Sequence, residues 1–261
     1  MIKALFLDID GTLVSFDTHT ITPSTIDALS RAKTRGVRIF IATGRPLAII
    51  NNLQPIEHLI DGYITANGAY CFTGNEEVLC KPIPRKDVER VIQLSDELAF
   101  SCIVVSKTEI MVHNADERFD SIFRKMLNVN TIQDDVPVAG FLNQPILQLT
   151  PLITPGQESS IMPQLPGCMS TRWHPAFTDI TLTGIDKAAG IEAIAERLDI
   201  TLSETMAIGD GGNDIAMLGR AGTGVAMGNA SAEVQAAADY VTASVDDDGV
   251  RKALEKFGVV G

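Results

Sequence analysis

No stretch of the 261-residue sequence is apolar over the about 18 residues that a membrane-crossing helix needs. The opening residues, MIKALFLDID, hold an apolar run too short for a secretory leader, and Asp8 cuts it off. The four cysteines, Cys71, Cys80, Cys102 and Cys168, show neither CxxC nor any other metal-ligand spacing. They read as reduced, mostly buried thiols, and the compartment expected from them is the cytoplasm. A basic face is also missing, since Lys and Arg form no cluster and the formal charge is −12. That balance excludes general binding to nucleic acid or to an anionic membrane. An acidic protein that binds an anionic substrate must build a local positive site against its own field. No internal repeat or low-complexity tract stands out, and no G-x-G-x-x-G follows the first apolar run, which argues against a dinucleotide-binding site.

What is present is ordinary for a globular protein: 45% apolar and 21% charged residues, in a length that suits one large domain or two ordinary ones. Short apolar runs alternate with helical patterns. IKALFLDI reads as a strand, and PSTIDALSRAKTRG as a helix opened by Thr22-Pro23 and stopped by Gly36. VRIFIAT is the next strand, RPLAIINNL the next helix, and YITAN a strand after it. The same grammar returns after residue 184, with helix KAAGIEAIAERLDI, strand TMAIGD, helix DIAMLGRAG, strand TGVAMG, helix SAEVQAAA, strand YVTAS and helix GVRKALEKFG. Continuous apolar strands with helices between them indicate a parallel sheet covered on both faces. The fold class expected is α/β: a doubly wound, Rossmann-like core formed by residues 1–82 and 184–261.

Residues 83–183 read differently. Helix 85–99, strands CIVV and EIMVH, helix 116–127, strand ILQLT, a short helix near 156–164 and strands MSTRW and FTDITLT give an αββαβαββ order with many prolines. This is expected to be an α+β module inserted into the core.

In a parallel α/β sheet ligands bind beyond the carboxyl ends of the strands. Four polar stretches fall there: DIDGT after the first strand, ATGR after the second, GDGGND after TMAI, and Lys187 at the start of the helix after the insert. Each alone has an ordinary structural reading. Asp-Gly makes turns, Thr43 could cap a helix begun by Arg45-Pro46, Lys187 could be a solvated surface lysine, and Asp210 and Asp214 could be loop and N-cap acids. Together they suggest chemistry. Asp8 and Asp10 fall on one face of an extended chain and repel each other unless a cation or proton intervenes. Carboxylates with oxygen-only neighbours suit Mg²⁺, while Thr43 and helix N-terminal amides suit phosphate oxygens. A lysine holds two anions together.

These stretches, with ANGA (66–69) and DDDGV (246–250), resemble the haloacid dehalogenase superfamily of phosphatases, in its Cof-type sugar-phosphatase branch. The resemblance covers the whole chain. It implies that Asp8 is a nucleophile forming an aspartyl-phosphate, and that Asp10 is the general acid and then base. Mg²⁺ would be held by Asp8, the Asp10 carbonyl and Asp210, with Asp214 behind them. Thr43, Gly44 and Lys187 would hold phosphate oxygens, with Asn213 as a further contact. Only 32 residues separate Asp10 from Thr43, but 141 separate Arg45 from Lys187. The insert therefore lies between the second and third motifs, where this family carries a cap that recognises the substrate's non-phosphate part. Candidate recognition residues are Arg45, Asn67, Trp173, His174 and Asp179. Packing is the plainer role for Trp173 and a surface imidazole for His174, and His113 reads as structural. The expected partner is a small phosphorylated metabolite, hexose phosphates foremost. The alternatives are a phosphomutase or phosphotransferase of the same chemistry and a nonenzymatic sugar-phosphate sensor. The sequence assigns no oligomeric state.

Overall fold

The computed structural model describes residues 1–126, 129, 131–134 and 136–261, and for Trp173 the backbone alone. Two compact units form: Met1–Gly44, Ile50–Leu79 and Asp186–Gly261 make the first, and Arg45–Ile49 with Cys80–Ile185 the second.

The chain begins with β1 (Ala4–Leu7), α1 (Pro23–Thr34), β2 (Arg38–Ala42), β3 (Gly62–Thr65), β4 (Tyr70–Thr73) and β5 (Glu76–Cys80). Helix α1 starts where expected: the Thr22 side chain accepts from the Thr25 N–H, and Pro23 supplies the first turn. The second unit contains α2 (Arg85–Leu98), β6 (Cys102–Val105), β7 (Ile110–His113), α3 (Glu117–Phe119), α4 (Val138–Phe141), β8 (Gln148–Pro151), α5 (Pro155–Ile161), β9 (Cys168–His174) and β10 (Phe177–Leu182). The chain then returns to the first unit through α6 (Lys187–Arg197), β11 (Thr205–Gly209), α7 (Ile215–Arg220), β12 (Thr223–Ala226), α8 (Ala232–Ala236), β13 (Tyr240–Val241) and α9 (Gly249–Lys256).

In the first unit eight strands lie in the order β13-β12-β11-β1-β2-β3-β4-β5, parallel from β13 to β3. Alternate residues of the central strands feed two cores. Leu5, Leu7, Ile39, Ile41 and Ile208 pack with Leu29 of α1 and Leu254 of α9. On the other face Phe6, Phe40, Ala207 and Ala226 pack with Ile191 of α6 and Leu218 of α7. Burial on both faces explains why these strands are apolar without alternation.

The structure corrects the sequence reading in two places. Strand β4 pairs antiparallel with β3, and β5 follows it at the sheet edge after a turn at Gly74 (φ +53), so the sheet is mixed rather than wholly parallel. RPLAIINNL is not an α-helix, since only a 3₁₀ turn forms, over Leu47–Ile49. The segment contains Pro46, Asn51 and Asn52, and Pro55 follows it closely. A stretch that short gains little from helix propagation, and asparagine side chains compete for the backbone.

The second unit holds an antiparallel sheet in the order β7-β6-β8-β10-β9. One face packs Val104, Leu149 and Ile180 against Val88 and Val91 of α2. The other carries Ile103, Val105 and Phe177 with Phe119 and Phe123. The helix expected over 116–127 forms as α3 followed by π-helical turns through Met126, and Leu127 lies outside the described residues. Helix α4 has no counterpart in the sequence reading. Cys71 and Cys102 are buried, Cys80 and Cys168 half-buried, and all are free thiols. Among the described residues no helix is long and apolar enough to cross a membrane.

Candidate active site

The polar stretches of the first unit meet at the carboxyl ends of β1, β2 and β11. Strand β1 ends at Leu7, but Asp8 still donates its N–H to the Ile208 carbonyl at 3.0 Å, so its position is tied to β11. Beyond it the chain turns tightly: the N–H groups of Leu13 and Val14 donate to the Ile9 carbonyl. Asp10 therefore sits in a turn rather than on an extended strand, which corrects the simple period-two picture of the pair. Its charge still reaches the Asp8 and Asp210 carboxylates.

Lys187 is the first residue of α6, which is capped by the Asp186 carboxylate on the Ala189 N–H at 2.9 Å. It is no surface lysine, because its side chain is fully buried. The ammonium donates to Asp8 Oδ1 at 2.6 Å and to Asp214 Oδ1 at 2.5 Å. Such depth requires close approach of helix and sheet. A Cβ on Gly190 would come within 2.6 Å of Ile64 Cγ2, so glycine there lets α6 lie against β3.

Asp214 is held on every side. Its Oδ2 accepts from the N–H groups of Asp210 and Gly211 at 2.9 and 2.8 Å, while Oδ1 takes the lysine. Asp210 accepts from Thr12 Oγ1 on Oδ1 at 2.9 Å and from Asn229 Nδ2 on Oδ2 at 3.3 Å. Asp8 differs from both, since among the described residues no donor falls on its Oδ2. Asp8, Asp210 and Asp214 each offer a carboxylate oxygen, all within 4.8 Å of one another.

The electrostatics follow from one buried cation among four acids. Burial pushes the Asp8 carboxyl well up; Lys187 opposes this, and Asp214, Asp210 and Asp10 add to it. Burial and the neighbouring Asp214 charge push Asp210 up to about 7. Burial alone would lower the Lys187 ammonium, but the Asp214 and Asp8 carboxylates outweigh it and hold it above its ordinary value. The site thus carries more negative charge than Lys187 can balance, and its donors are oxygens. That set fits a hard divalent cation, with Asp8 and Asp210 as carboxylate ligands. Asp214, fully buried with two N–H donors on Oδ2 and the lysine on Oδ1, suits a place behind them.

On the other side Thr43 is buried, with its N–H on the Ile64 carbonyl at 2.8 Å, and its own carbonyl accepts from the Asn67 N–H at 3.1 Å. Asn67 has φ +51, and its Oδ1 accepts from Asn213 Nδ2 at 3.0 Å. A Cβ on Gly44 would approach both amides, at 3.1 and 3.3 Å. Thr43, Gly44, Asn67 and Asn213 therefore form one polar wall in the first unit.

Four residues offered for recognition lie in the second unit. Arg45 Nη1 donates to the Ile49 carbonyl at 3.2 Å. His174 stacks on Phe177 at 4.9 Å and accepts from the Ala176 N–H on Nδ1 at 3.2 Å; burial, with Arg172 nearby, holds its imidazole low. Asp179 is buried and accepts from Thr150 Oγ1 at 2.7 Å, and Gln148 Nε2 in turn reaches Thr150 Oγ1 at 3.2 Å. The Trp173 side chain lies outside the described residues. Sequence reasoning missed Thr12 and Asn229. Thr12 ends the DIDGT motif, so position alone could have raised it; Asn229, in AMGNA, carried no such signal.

A family model for haloacid dehalogenase-like hydrolases matches residues 5–254. The chain belongs to that family. Among solved structures, the sugar phosphatase BT4131, described as a member of HAD subclass IIB, is 49% identical with a TM-score of 0.95, over 99% of this chain and all of that one. The phosphatase BT1666 from Bacteroides thetaiotaomicron is 38% identical with a TM-score of 0.90, over all of this chain and 96% of that one. The 5-amino-6-(5-phospho-D-ribitylamino)uracil phosphatase YcsE of Bacillus subtilis is 30% identical over 98% of this chain and 96% of its own length. This haloacid dehalogenase-like hydrolase is a phosphatase of the Cof type.

Proposed function

We propose that this phosphatase hydrolyses phosphate monoesters of small metabolites, sugar phosphates foremost, with Mg²⁺, by way of a phosphoryl group carried on Asp8. The observation that carries the reading is the asymmetry of the Asp8 carboxylate. Its Oδ1 is held by Lys187, its Oδ2 accepts no hydrogen bond among the described residues, and the residue shares an acidic cluster with Asp210 and Asp214.

In the first step Asp8 Oδ2 attacks phosphorus, the bond from phosphorus to the ester oxygen breaks, and Asp10 gives that oxygen a proton. With Lys187 and the proposed cation holding Asp8 ionised against burial, its carboxylate needs no base to deprotonate it and divides one difficult displacement into two. In the second step Asp10 takes a proton from water, the water oxygen bonds to phosphorus, and the bond to Asp8 breaks to release phosphate. Thr43, Gly44, Asn213 and Lys187 hold the phosphate oxygens through both steps. Asp8, the Asp10 carbonyl and Asp210 would hold Mg²⁺, which would supply charge that lets two anions meet.

The second unit is read as the cap, and Arg45, Trp173, His174 and Asp179, with Asn67 from the first unit, as the groups that recognise the non-phosphate part. The likeness to a sugar phosphatase at 49% identity supports the substrate class. The test is phosphate release from a panel of phosphorylated metabolites, with Mg²⁺ and with chelator. Turnover of hexose phosphates that chelator abolishes and Mg²⁺ restores is the expected result. Turnover that survives chelation, or a preference for substrates without a sugar or polyol, would contradict it.

A further inference from the structure

Asn229 lies just past β12, in a turn that Gly228 brings against the end of β13: a Cβ on Gly228 would stand 2.8 Å from the Ala243 carbonyl carbon. The residue is exposed, yet its side-chain amide joins three separate segments. Nδ2 donates to the Gly11 carbonyl at 2.9 Å, in the turn that carries Asp10, and to Asp210 Oδ2 at 3.3 Å. Oδ1 accepts from the Val245 N–H at 2.9 Å. A backbone donor on Oδ1 fixes which way the amide faces, so both hydrogens of Nδ2 must point at the acidic site. An exposed side chain with this pattern contributes little packing, and the use of all its polar atoms calls for another explanation.

From this geometry we infer that Asn229 is a positioning residue for the metal. It fixes the rotation of the Asp210 carboxylate and the height of the Gly11 carbonyl, so that Asp210 and the adjoining Asp10 carbonyl face the same point. Thr12 holds the opposite oxygen of Asp210 at 2.9 Å, and the two donors together leave the carboxylate one orientation. A neutral amide suits the task. It satisfies two oxygens without the charge that a lysine would set against the cation, or the repulsion that another carboxylate would add. Gly11 (φ +82) completes the arrangement, because a Cβ there would stand 2.2 Å from Asp210 Oδ2. Groups that orient metal ligands from behind typically affect affinity by about 10–100-fold. Exposure, and the long bond to Asp210, place Asn229 at the lower end.

The inference rests on the proposed Mg²⁺ site, and the experiment separates the two. Mg²⁺ binding to wild type, Asn229→Ala and Asn229→Ser is measured by calorimetry without substrate, alongside thermal unfolding of the metal-free proteins. Expected are saturable binding to wild type, affinity weakened about tenfold in Asn229→Ala, and metal-free melting close to wild type. The Mg²⁺ concentration for half-maximal activity should rise by the same factor, with kcat largely regained at saturation. Affinity within about twofold of wild type in both variants, with or without a lower melting temperature, overturns the inference, because a merely structural residue would behave so. If Asn229→Ala does not fold, Asn229→Ser is judged by the same criterion. If wild type itself binds no Mg²⁺, the metal reading fails and this inference falls with it.

Discussion

At the scale of single residues the site depends on two aspartates of one turn placed in unlike surroundings. Asp8 is buried against Lys187, whereas Asp10 is only partly buried and lies in the turn closed by Gly11 and Val14. The first place suits an ion held in one orientation and the second a group that exchanges protons. If Asp10 protonates the leaving oxygen, its importance must follow how badly that oxygen needs a proton. General acid help is worth about 10²–10⁴ in rate. Asp10→Ala should therefore lower kcat/KM far more for a hexose phosphate than for p-nitrophenyl phosphate, whose phenolate departs unprotonated. The comparison belongs in kcat/KM, since hydrolysis of the phosphoenzyme is common to both substrates and would mask the difference in kcat. Equal losses would assign Asp10 to the geometry of the site instead of proton transfer.

At the scale of elements, the burial of Lys187 follows from how closely α6 approaches β3. An alanine in a helix interior is ordinarily better than glycine by about 1 kcal/mol. At Gly190 the added methyl would press into Ile64, and overpacking costs about 1–3 kcal/mol. Gly190→Ala should therefore be net destabilising in denaturant unfolding and should lower turnover, because Lys187 lies one turn away. Gly219→Ala in α7, where the new methyl meets nothing within 4 Å, should be neutral or stabilising. Equal effects at the two glycines would show that the close approach is not what matters. Much of this level was legible in the sequence: two-faced burial writes β1, β2 and β11 as unbroken apolar runs, and Thr22-Pro23 marks the start of α1. The β4–β5 edge is written as well, in the Gly74-Asn75 turn signal, but its strands, YCFT and EEVLC, lack the unbroken apolar runs of the core. Residues 45–53 misled because their apolar spacing suits a helix while their length and asparagines do not. Within the site, residues that act through charge announced themselves by type and place. Asn229, which acts by holding others, did not, because a hydrogen bond between distant segments leaves no local pattern, and Thr12 was marked only by its place in DIDGT.

At the scale of the whole molecule, a chain with a formal charge of −12 gathers Asp8, Asp10, Asp210 and Asp214 around a single buried lysine. Nothing in folding alone calls for that concentration of like charge, and burial makes it costly. The arrangement becomes reasonable if its cost to the folded state is offset by a bound cation. The proposed hydrolysis requires that the phosphoryl group pass through Asp8. The most direct measurement is acid quenching of enzyme mixed with a hexose phosphate and Mg²⁺ within the first turnover, followed by mass spectrometry of the peptide that contains Asp8. The account predicts a transient phosphoryl group on Asp8, absent from a folded Asp8→Asn variant that also lacks turnover. Near-normal phosphate release by Asp8→Asn, or a phosphoryl group trapped on another side chain, would contradict it.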